Sequence, residues 1–337
     1  VSDKTILGHQ RLPVYRQLLA DLVTLWRLHK AEAIILAGDL IDQRHGVPRA
    51  VLLLLYAWFS QLKQSEKPTI YWLRGNHESP SNERPEESLM ELFGDVCHTI
   101  MRSCVAEVGG TNLYFLPWYP AAQIRAEAMK LAETAIHDEG PKMLIAHVGL
   151  KEGRMSASNI QVPQAVGIRD MLPAQYDLVI LGDYHAHQMM AENAFYVGAP
   201  IPHTFGDSDI VGPWLVDTVA GIVTPLELPN KAPQFQQYQL LDRESMPIPG
   251  YNLSNYNRIH AVPEILDSVR AQYPDADLKV LDIAERKVVD YSQSRISRED
   301  LSDIRKVFER YFELVGAKKS DQKRLMELGL RLVAVEG

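Results

Sequence analysis

The chain of 337 residues is poor in cysteine and has no long apolar run. Cys97 and Cys104 are its only cysteines, too few for the disulfide framework on which small secreted domains depend. The longest apolar run, residues 50–59, is far shorter than the roughly 20 residues that cross a membrane. We therefore expect a reducing cytosol and no membrane partner.

An excess of positive charge is missing as well. The net charge of −8 and the pI near 5.8 argue against a wholly basic nucleic-acid binder. They leave room for a local basic surface, because residues 286–331 hold 12 Lys and Arg against 8 Asp and Glu, a local net charge of +4.

The length exceeds that of one average domain, and hydrophobic residues make up 46% of the chain, enough for a full core. The pattern predicts an α/β domain in residues 1–228 and a small α+β domain in residues 229–290. A helix pair is predicted in residues 291–337. Apolar periodicity in the first domain predicts helices over residues 14–29, 50–62 and 121–137, and a hairpin over residues 105–116.

Four apolar stretches of the first domain each end in side chains that can bind a metal ion. The stretches and the residues that follow them are 34–38 with Asp39 and Asp42, 71–75 with Asn76, His77 and Glu78, 143–146 with His147, and 178–182 with Asp183, His185 and His187. Because an α/β sheet presents its sites at the carboxyl edge of the strands, we expect these side chains to meet there. Together they form a set of hard and borderline metal ligands.

Such a cluster suits two divalent metal ions, which clamp the attacking and leaving oxygens of a phosphoester when they lie about 3.5–4 Å apart. A bridging carboxylate, an amide oxygen and imidazole nitrogens are offered by Asp39, Asn76, His147 and either His185 or His187. His77 follows a ligand directly and cannot easily point the same way. We therefore predict that His77 is catalytic and contacts the phosphate or protonates the leaving oxygen.

These motifs resemble the calcineurin-like metallophosphoesterase superfamily. The residues that carry the resemblance are Gly38-Asp39-Leu40-Ile41-Asp42, Gly75-Asn76-His77-Glu78, His147 and residues 182–187. The resemblance covers residues 1–228 and implies a two-sheet sandwich flanked by helices, with a di-metal site that often holds manganese. It also implies Asp39 as the metal bridge, Asn76 and His147 on the second metal, and His77 as the catalytic histidine.

Two motifs depart from the family pattern, and both concern the first metal. Where the family has Asp-x-His, this chain has Asp3-Lys4-Thr5, so either His9 swings in from the following loop or Asp3 serves alone. Where the family has Gly-His-x-His, this chain has Gly182-Asp183-Tyr184-His185-Ala186-His187. The ligand places then fall either to Asp183 and His185 or to His185 and His187, and we favour the second pair.

The order of the parts resembles the nuclease component of SMC-like ATPase–nuclease complexes, namely the SbcCD nuclease family and its bacteriophage recombination-endonuclease relatives. There too a phosphoesterase domain, a capping domain and a terminal helix pair follow one another, and Tyr196-Val197-Gly198-Ala199-Pro200 is similar to a strand of that subgroup. The resemblance implies a manganese-dependent exonuclease or endonuclease acting on DNA in recombination, repair or replication. It also implies a cytoplasmic protein, in the bacterial cytosol or, if phage-encoded, in that of the host.

An apolar stripe in the tail predicts a helix that packs against other helices. Its members recur at steps of three and four and are Leu301, Ile304, Phe308, Tyr311 and Val315. We expect Phe308 and Tyr311, with Leu325 of a second helix, to form an exposed patch for a helical partner. The alternative is that both helices fold back on the capping domain. The resemblance implies the coiled-coil base of the SMC-like ATPase as the partner, and a homodimer of nuclease subunits within a heterotetramer.

Two other functions fit part of the pattern. The stretch Leu73-Arg74-Gly75-Asn76-His77-Glu78 is close to the serine/threonine phosphatase motif, which favours a phosphoprotein or small-molecule phosphatase. Against that function, Asp42 is followed by Gln43-Arg44 rather than Arg-Gly, and such phosphatases do not need the capping domain and helix pair. The altered first motif would also suit a non-catalytic scaffold that only supports the ATPase.

Overall fold

The computed structural model describes residues 5–6, 9–42, 46–64, 68–81, 87–154, 166–205, 207, 212–218 and 220–281. The chain divides into two compact units, Val1–Val280 and Leu281–Gly337. The helix pair predicted for residues 291–337 lies outside the described residues. The domain boundaries predicted at residues 228 and 290 stay predictions.

Apolar residues at helical spacing build the α-helices of the described part of the chain. These helices are α1 (Leu12–His29), α2 (Arg49–Gln64), α3 (Ala121–His137) and α4 (Leu266–Gln272). Short 3-10 helices span Leu89–Phe93, Ile168–Met171, Pro173–Gln175 and Pro263–Ile265. The first three α-helices confirm the predicted ones, and α3 has the predicted bounds. α1 starts with a proline in its first turn and is followed by the C-cap residue Lys30, whose φ of 52° is left-handed.

The strands are short and mostly apolar. They are β1 (Thr5–Ile6), β2 (His9–Gln10), β3 (Ala33–Leu36), β4 (Thr69–Leu73), β5 (His98–Ile100), β6 (Cys104–Val108), β7 (Thr111–Leu116), β8 (Lys142–His147), β9 (Leu178–Gly182), β10 (Gln188–Ala191), β11 (Ala194–Tyr196), β12 (Trp214–Asp217), β13 (Ile222–Pro225), β14 (Phe235–Leu240), β15 (Tyr256–Ala261) and β16 (Asp277–Val280). The predicted hairpin is present as the antiparallel pair β6–β7. Strands β5 and β10 were not predicted.

Two larger sheets organise the first part of the chain. One has six strands in the order β10-β11-β9-β8-β7-β6, and the other has three in the order β3-β4-β5. The pairs β7–β8, β8–β9, β3–β4 and β4–β5 are parallel. Parallel pairing brings the carboxyl ends of these strands to one edge, where polar residues follow them in the sequence.

The two sheets face each other across a shared core, and helices cover their outer faces. Alternate residues of β4 show this arrangement. Tyr71 and Leu73 belong to the core cluster that also holds Phe115 of the six-stranded sheet, whereas Trp72 packs into a separate cluster with residues of α1 and α2. A third cluster joins α3 to the outer face of the six-stranded sheet. Strands buried on both faces read as continuous apolar runs, and the predicted α/β two-sheet sandwich is confirmed.

A separate three-stranded sheet, β14-β15-β16, follows these layers, and both of its strand pairs are parallel. Helix α4 connects β15 to β16, so the region holds the short strands and the one helix that were predicted, with its strands all parallel. It is tied to α1 at two places, because Arg11 Nη1 donates to Tyr256 Oη at 3.3 Å and Asn230 Nδ2 donates to Asp21 Oδ1 at 2.7 Å. None of the helices in the described residues is both long and apolar enough to cross a bilayer.

Candidate metal centre

The loop after β3 brings Asp39 into the site through two residues with positive φ. Gly38 has a φ of 95° and Asp39 a φ of 53°, and non-glycine residues rarely adopt the left-handed region unless the surroundings hold them there. A Cβ atom on Gly38 would lie 2.1 Å from His147 Nδ1. Glycine is therefore required here because the imidazole of His147 passes directly over the backbone.

The loop after β4 meets the Asp39 loop at an equally close approach. A Cβ atom on Gly75 would lie 2.1 Å from Asp39 Oδ1. The backbone N–H of His77 donates to that same oxygen at 2.9 Å. The two loops therefore form one unit, in which the backbone of one holds the carboxylate of the other.

The side chain of Glu78 links these two loops by hydrogen bonds, a role that the sequence motif did not reveal. Its carboxylate accepts from the backbone N–H groups of Asp39 at 2.9 Å, Ile41 at 3.0 Å and Gly75 at 2.8 Å. The side chain is buried, with 2% of the residue exposed. Burial, and next the charge of Asp39, raise the pKa of Glu78. Glu78 is thus a buried clamp rather than a group that could meet substrate.

The candidate ligand atoms converge where β3, β8 and β9 end. Asp39, His147 and Asp183 each offer one atom, and these atoms all lie within 4.8 Å of one another. His147 Nε2 is 3.4 Å from Asp39 Oδ1 and 3.7 Å from Asp183 Oδ1. The pairing of His147 with Gly182 across β8 and β9 explains why Asp183, the next residue, arrives beside it.

His147 presents one nitrogen to this cluster and fixes the other. Its Nδ1 lies 2.7 Å from the carbonyl oxygen of Ala37, so that Nδ1–H donates there and Nε2 faces the carboxylates. Burial by itself would lower the pKa of His147, but Asp39 and Asp183 outweigh burial and raise the pKa to about 10. Burial raises the pKa of Asp39, but His147 and His77 lower it below its ordinary value. The carboxylates therefore attract positive charge, either a proton on His147 or a cation.

Asn76 places its amide against the same atoms. The atom assigned as its oxygen lies 3.1 Å from His147 Nε2 and 2.9 Å from the nearer oxygen of Asp39. With the amide oxygen on this side and the ring of His147 neutral, the oxygen would face the lone pair of Nε2 and the carboxylate of Asp39, an arrangement that a cation would satisfy. The reversed amide would instead donate its N–H to Asp39. The oxygen and nitrogen donors present fit a divalent metal ion.

His77 is brought to the edge of the cluster but differs from His147 in exposure. Its Nδ1 lies 2.7 Å from the carbonyl oxygen of Asp42, and its Nε2 is 3.9 Å from Asp39 Oδ2. The side chain of His77 is 38% exposed, whereas that of His147 is fully buried. His77 can therefore reach a substrate, and His147 cannot.

The last motif separates its two histidines. The Nδ1 of His185 lies 3.5 Å from Asp207 Oδ2, and the side chain of Asp207, followed by the charges of Asp39 and Asp183, raises the pKa of His185. The Nδ1 of His187 instead lies 2.8 Å from the carbonyl oxygen of Tyr196, and its ring packs 4.5 Å from that of Trp214. The motif favoured His187 over Asp183 as a ligand, but the geometry favours Asp183, because His187 directly precedes β10 and turns toward β11.

Several predicted residues cannot be placed. Asp3 lies outside the described residues, as do Phe308, Tyr311 and Leu325 of the tail. The backbone of His9 lies in β2, where it pairs with Ile6, but its side chain is outside the described part of the structure. The metal-binding roles of Asp3 and His9 stay predictions.

Comparison with known proteins agrees with this geometry. The family model for calcineurin-like phosphoesterases matches residues 9–186, more than half of the chain. A viral relative, Putative phosphoesterase 078R of Invertebrate iridescent virus 3, is 23% identical over 201 residues, which cover 57% of this chain and 54% of the relative. The chain thus spans about half the length of that curated relative. On the family match, the chain belongs to the calcineurin-like phosphoesterases, a family of metal-dependent enzymes that hydrolyse phosphoesters.

Proposed function

We propose that the chain is a manganese-dependent DNA nuclease that hydrolyses phosphodiesters at a di-metal site, as the nuclease subunit of a complex with an SMC-like ATPase. The observation that carries the hydrolytic part of this proposal is the convergence of Asp39, Asn76, His147 and Asp183 at one sheet edge. Carboxylate and amide oxygens are ligands that suit manganese, and the proposed ligands include no thiolate.

These four residues, together with His185, would hold the metal ions. When bound, divalent ions supply the positive charge that activates water and stabilises charge on the phosphate. Asp39 would bridge the two ions, because its Oδ1 accepts the N–H of His77 and lies 3.4 Å from His147 Nε2, and its Oδ2 lies 3.9 Å from His77 Nε2. Glu78 would keep the loops in place through its three backbone hydrogen bonds.

His77 would act on the substrate. Its ring is fixed through Nδ1 by the carbonyl of Asp42, which leaves Nε2 on the side of Asp39. A proton held at Nε2 can be donated to a phosphate oxygen or to the leaving oxygen. The partial exposure of this ring is the property that such a role requires.

The parallel sheet β14-β15-β16 supports DNA as the substrate. It lies beyond residues 9–186, which the family model matches, and a small-ester phosphatase does not need it. Its strand β15 contacts Arg11 at the start of α1, and its strand β14 contacts Phe205 of the segment that follows the site. A sheet in this place extends the protein surface beside the site, as a long polymeric substrate requires.

A phosphatase is the second candidate, because Arg74-Gly75-Asn76-His77-Glu78 is close to the phosphatase motif. Arg74 weakens that case. Arg74 is fully buried. Its Nη2 donates to the carbonyl of Trp118 at 2.6 Å, and its guanidinium lies 5.1 Å from the ring centre of Tyr119. An arginine held in this way supports the loop and would have to leave these contacts to reach a phosphate.

The deciding experiment compares two products under the same conditions. Purified protein with Mn²⁺ would be given linear duplex DNA, and release of nucleotides would be measured beside release of phosphate from a small monoester. We expect nucleotide release that EDTA abolishes. Phosphate release without nucleotide release would instead favour the phosphatase, and neither product in the presence of the ATPase would favour the scaffold.

A further inference from the structure

Asp207 is a buried carboxylate held by its own segment. Its Oδ2 accepts from the backbone N–H groups of His203 at 2.8 Å and Thr204 at 3.0 Å, and its Oδ1 accepts from Thr204 Oγ1 at 3.1 Å. The side chain is only 2% exposed. Its position therefore does not depend on any histidine of the site.

The same carboxylate faces the Nδ1 atom of His185. Asp207 Oδ2 lies 3.5 Å from His185 Nδ1. The backbone of His185 is also fixed, because its carbonyl oxygen accepts from the N–H of Ala199 at 2.8 Å. An imidazole with Nδ1 turned to a carboxylate leaves Nε2 for a ligand, and such outer partners set both the tautomer and the direction of a metal-binding histidine.

The segment that carries Asp207 is attached to the sheet β14-β15-β16. The carbonyl of Pro202 accepts from Arg11 Nη2 at 2.8 Å, and the guanidinium of Arg11 lies 5.3 Å from the ring centre of Tyr256 in β15. Phe205 packs against Phe235 of β14 with ring centres 5.0 Å apart and lies 4.0 Å below the guanidinium of Arg258. Contacts to the sheet therefore flank the backbone groups that hold the carboxylate.

We infer that Asp207 is a positioning residue that orients His185 for metal binding, and that the sheet β14-β15-β16 holds Asp207 in place. This inference rests on the proposed metal-dependent function. It gives the sheet a part in building the site, in addition to extending the surface beside it. It also explains how His185 could serve as a ligand although its side chain is 45% exposed.

The first test measures metal binding rather than turnover. Asp207→Asn keeps an oxygen for the N–H donors but removes the charge that faces His185. We expect it to weaken Mn²⁺ binding at one site by about 10–100-fold, the effect typical of losing such a partner, without lowering the melting temperature by more than its control does. The matched control is Asp242→Asn, since Asp242 also accepts a backbone N–H, from Ser245 at 2.8 Å, but is exposed and lies outside the site. Unchanged Mn²⁺ affinity in Asp207→Asn would overturn the inference.

A double-mutant cycle separates positioning from a general structural effect. In a His185→Ala background, Asp207→Asn should weaken Mn²⁺ binding no further, because its target is already absent. If the full effect persists without His185, Asp207 acts elsewhere and the inference fails.

The tautomer of His185 provides a readout that needs neither metal nor a variant. NMR of isotope-labelled histidine in the metal-free protein, at a pH where this imidazole is neutral, should show the proton on Nδ1. A proton on Nε2 would overturn the inference even if Asp207→Asn does not fold. The proposed function fails differently: wild-type protein that binds Mn²⁺ but leaves DNA intact would refute the nuclease and leave these tests valid.

Discussion

At the scale of single residues, the two histidines of the candidate site differ in their exposure to solvent. Buried His147 faces the carboxylates of Asp39 and Asp183, whereas His77 is partly open to solvent. A group that binds a cation gains from burial, because the surrounding low dielectric strengthens its attraction to the ion. A group that acts on a substrate must be reachable. The next three predictions depend on this difference.

Asp39→Asn should abolish activity and lower metal occupancy. The substitution preserves the shape of the side chain but removes the charge that would hold two cations together. Activity on DNA and Mn²⁺ stoichiometry by calorimetry are the measurements. Asp177→Asn is the control, since Asp177 accepts the N–H of Lys142 at the opposite end of β8 and should leave both unchanged. Manganese-dependent cleavage by Asp39→Asn would refute the di-metal assignment.

His77→Ala should lower turnover by about 10²–10⁴-fold, the usual contribution of a general acid, while both metals remain bound. The reason is that Nε2 of His77 lies 3.9 Å from the Asp39 carboxylate on a side chain exposed enough to meet substrate. His98→Ala, on an exposed residue at the start of β5, is the control. Loss of Mn²⁺ binding together with turnover would show that His77 is a ligand.

Mn²⁺ affinity should rise with pH from the neutral to the mildly alkaline range. Burial lowers the pKa of His147, but the neighbouring carboxylates raise it to about 10, so the metal-free imidazole is protonated at neutral pH. A cation that takes Nε2 must displace that proton, and below the pKa this costs about tenfold in affinity per pH unit. Calorimetry in buffers of different ionisation enthalpy would count the protons released. Affinity independent of pH would exclude His147 as the ligand that gives up a proton.

At the scale of elements, the loops after β3 and β4 are held together by one buried side chain. Glu78 accepts three backbone N–H groups, and each buried N–H left without an acceptor costs about 1–3 kcal/mol. The left-handed backbone of Asp39 is strained by itself, so the clamp offsets a cost that the metal site imposes on the fold.

Glu78→Gln should therefore destabilise the protein by about 1–3 kcal/mol. A glutamine keeps one acceptor oxygen but turns an NH₂ group toward donors that carry hydrogens themselves. Urea unfolding of the metal-free protein measures the loss, and Glu107→Gln, on the exposed face of β6, is the control. A variant as stable as the wild type would show that the three hydrogen bonds contribute nothing net.

At the scale of the whole molecule, the described fold belongs almost entirely to the unit Val1–Val280. The core clusters on both sides of the sandwich are made of residues from this unit. The proposed metal ligands described above also lie within it. Hydrolysis and partner binding should therefore be separable.

Truncation after Asp290 should keep the fold and the metal-dependent activity on simple substrates but abolish co-purification with the ATPase. The removed tail contains the predicted patch of Phe308, Tyr311 and Leu325. Circular dichroism, turnover and pull-down are the measurements, with the full chain as reference. Unchanged affinity of the shortened protein for the ATPase would place the partner surface elsewhere.

Much of the sandwich could be predicted because its signals are local. Apolar residues at steps of three and four mark α1 and α3, and apolar runs mark β4, β8 and β9. Strand β5 was missed because its burial ranges from exposed His98 to buried Ile100. Its place in the sheet depends on its pairing with β4. A segment of three residues carries no sequence pattern that predicts this pairing.

The sequence by itself determined the order of the motifs, and with it the gathering of Asp39, Asn76 and His147 at the carboxyl ends of parallel strands. Only the tertiary structure showed that Asp183 of the last motif lies beside them and that His187 turns away, because these positions depend on the register of β8 against β9 and on the turn into β10. The tertiary structure alone also revealed Glu78 as a clamp and Asp207 as the partner of His185. Those roles are contacts between segments far apart in the chain, and their geometry arises only when the sheets and loops have packed.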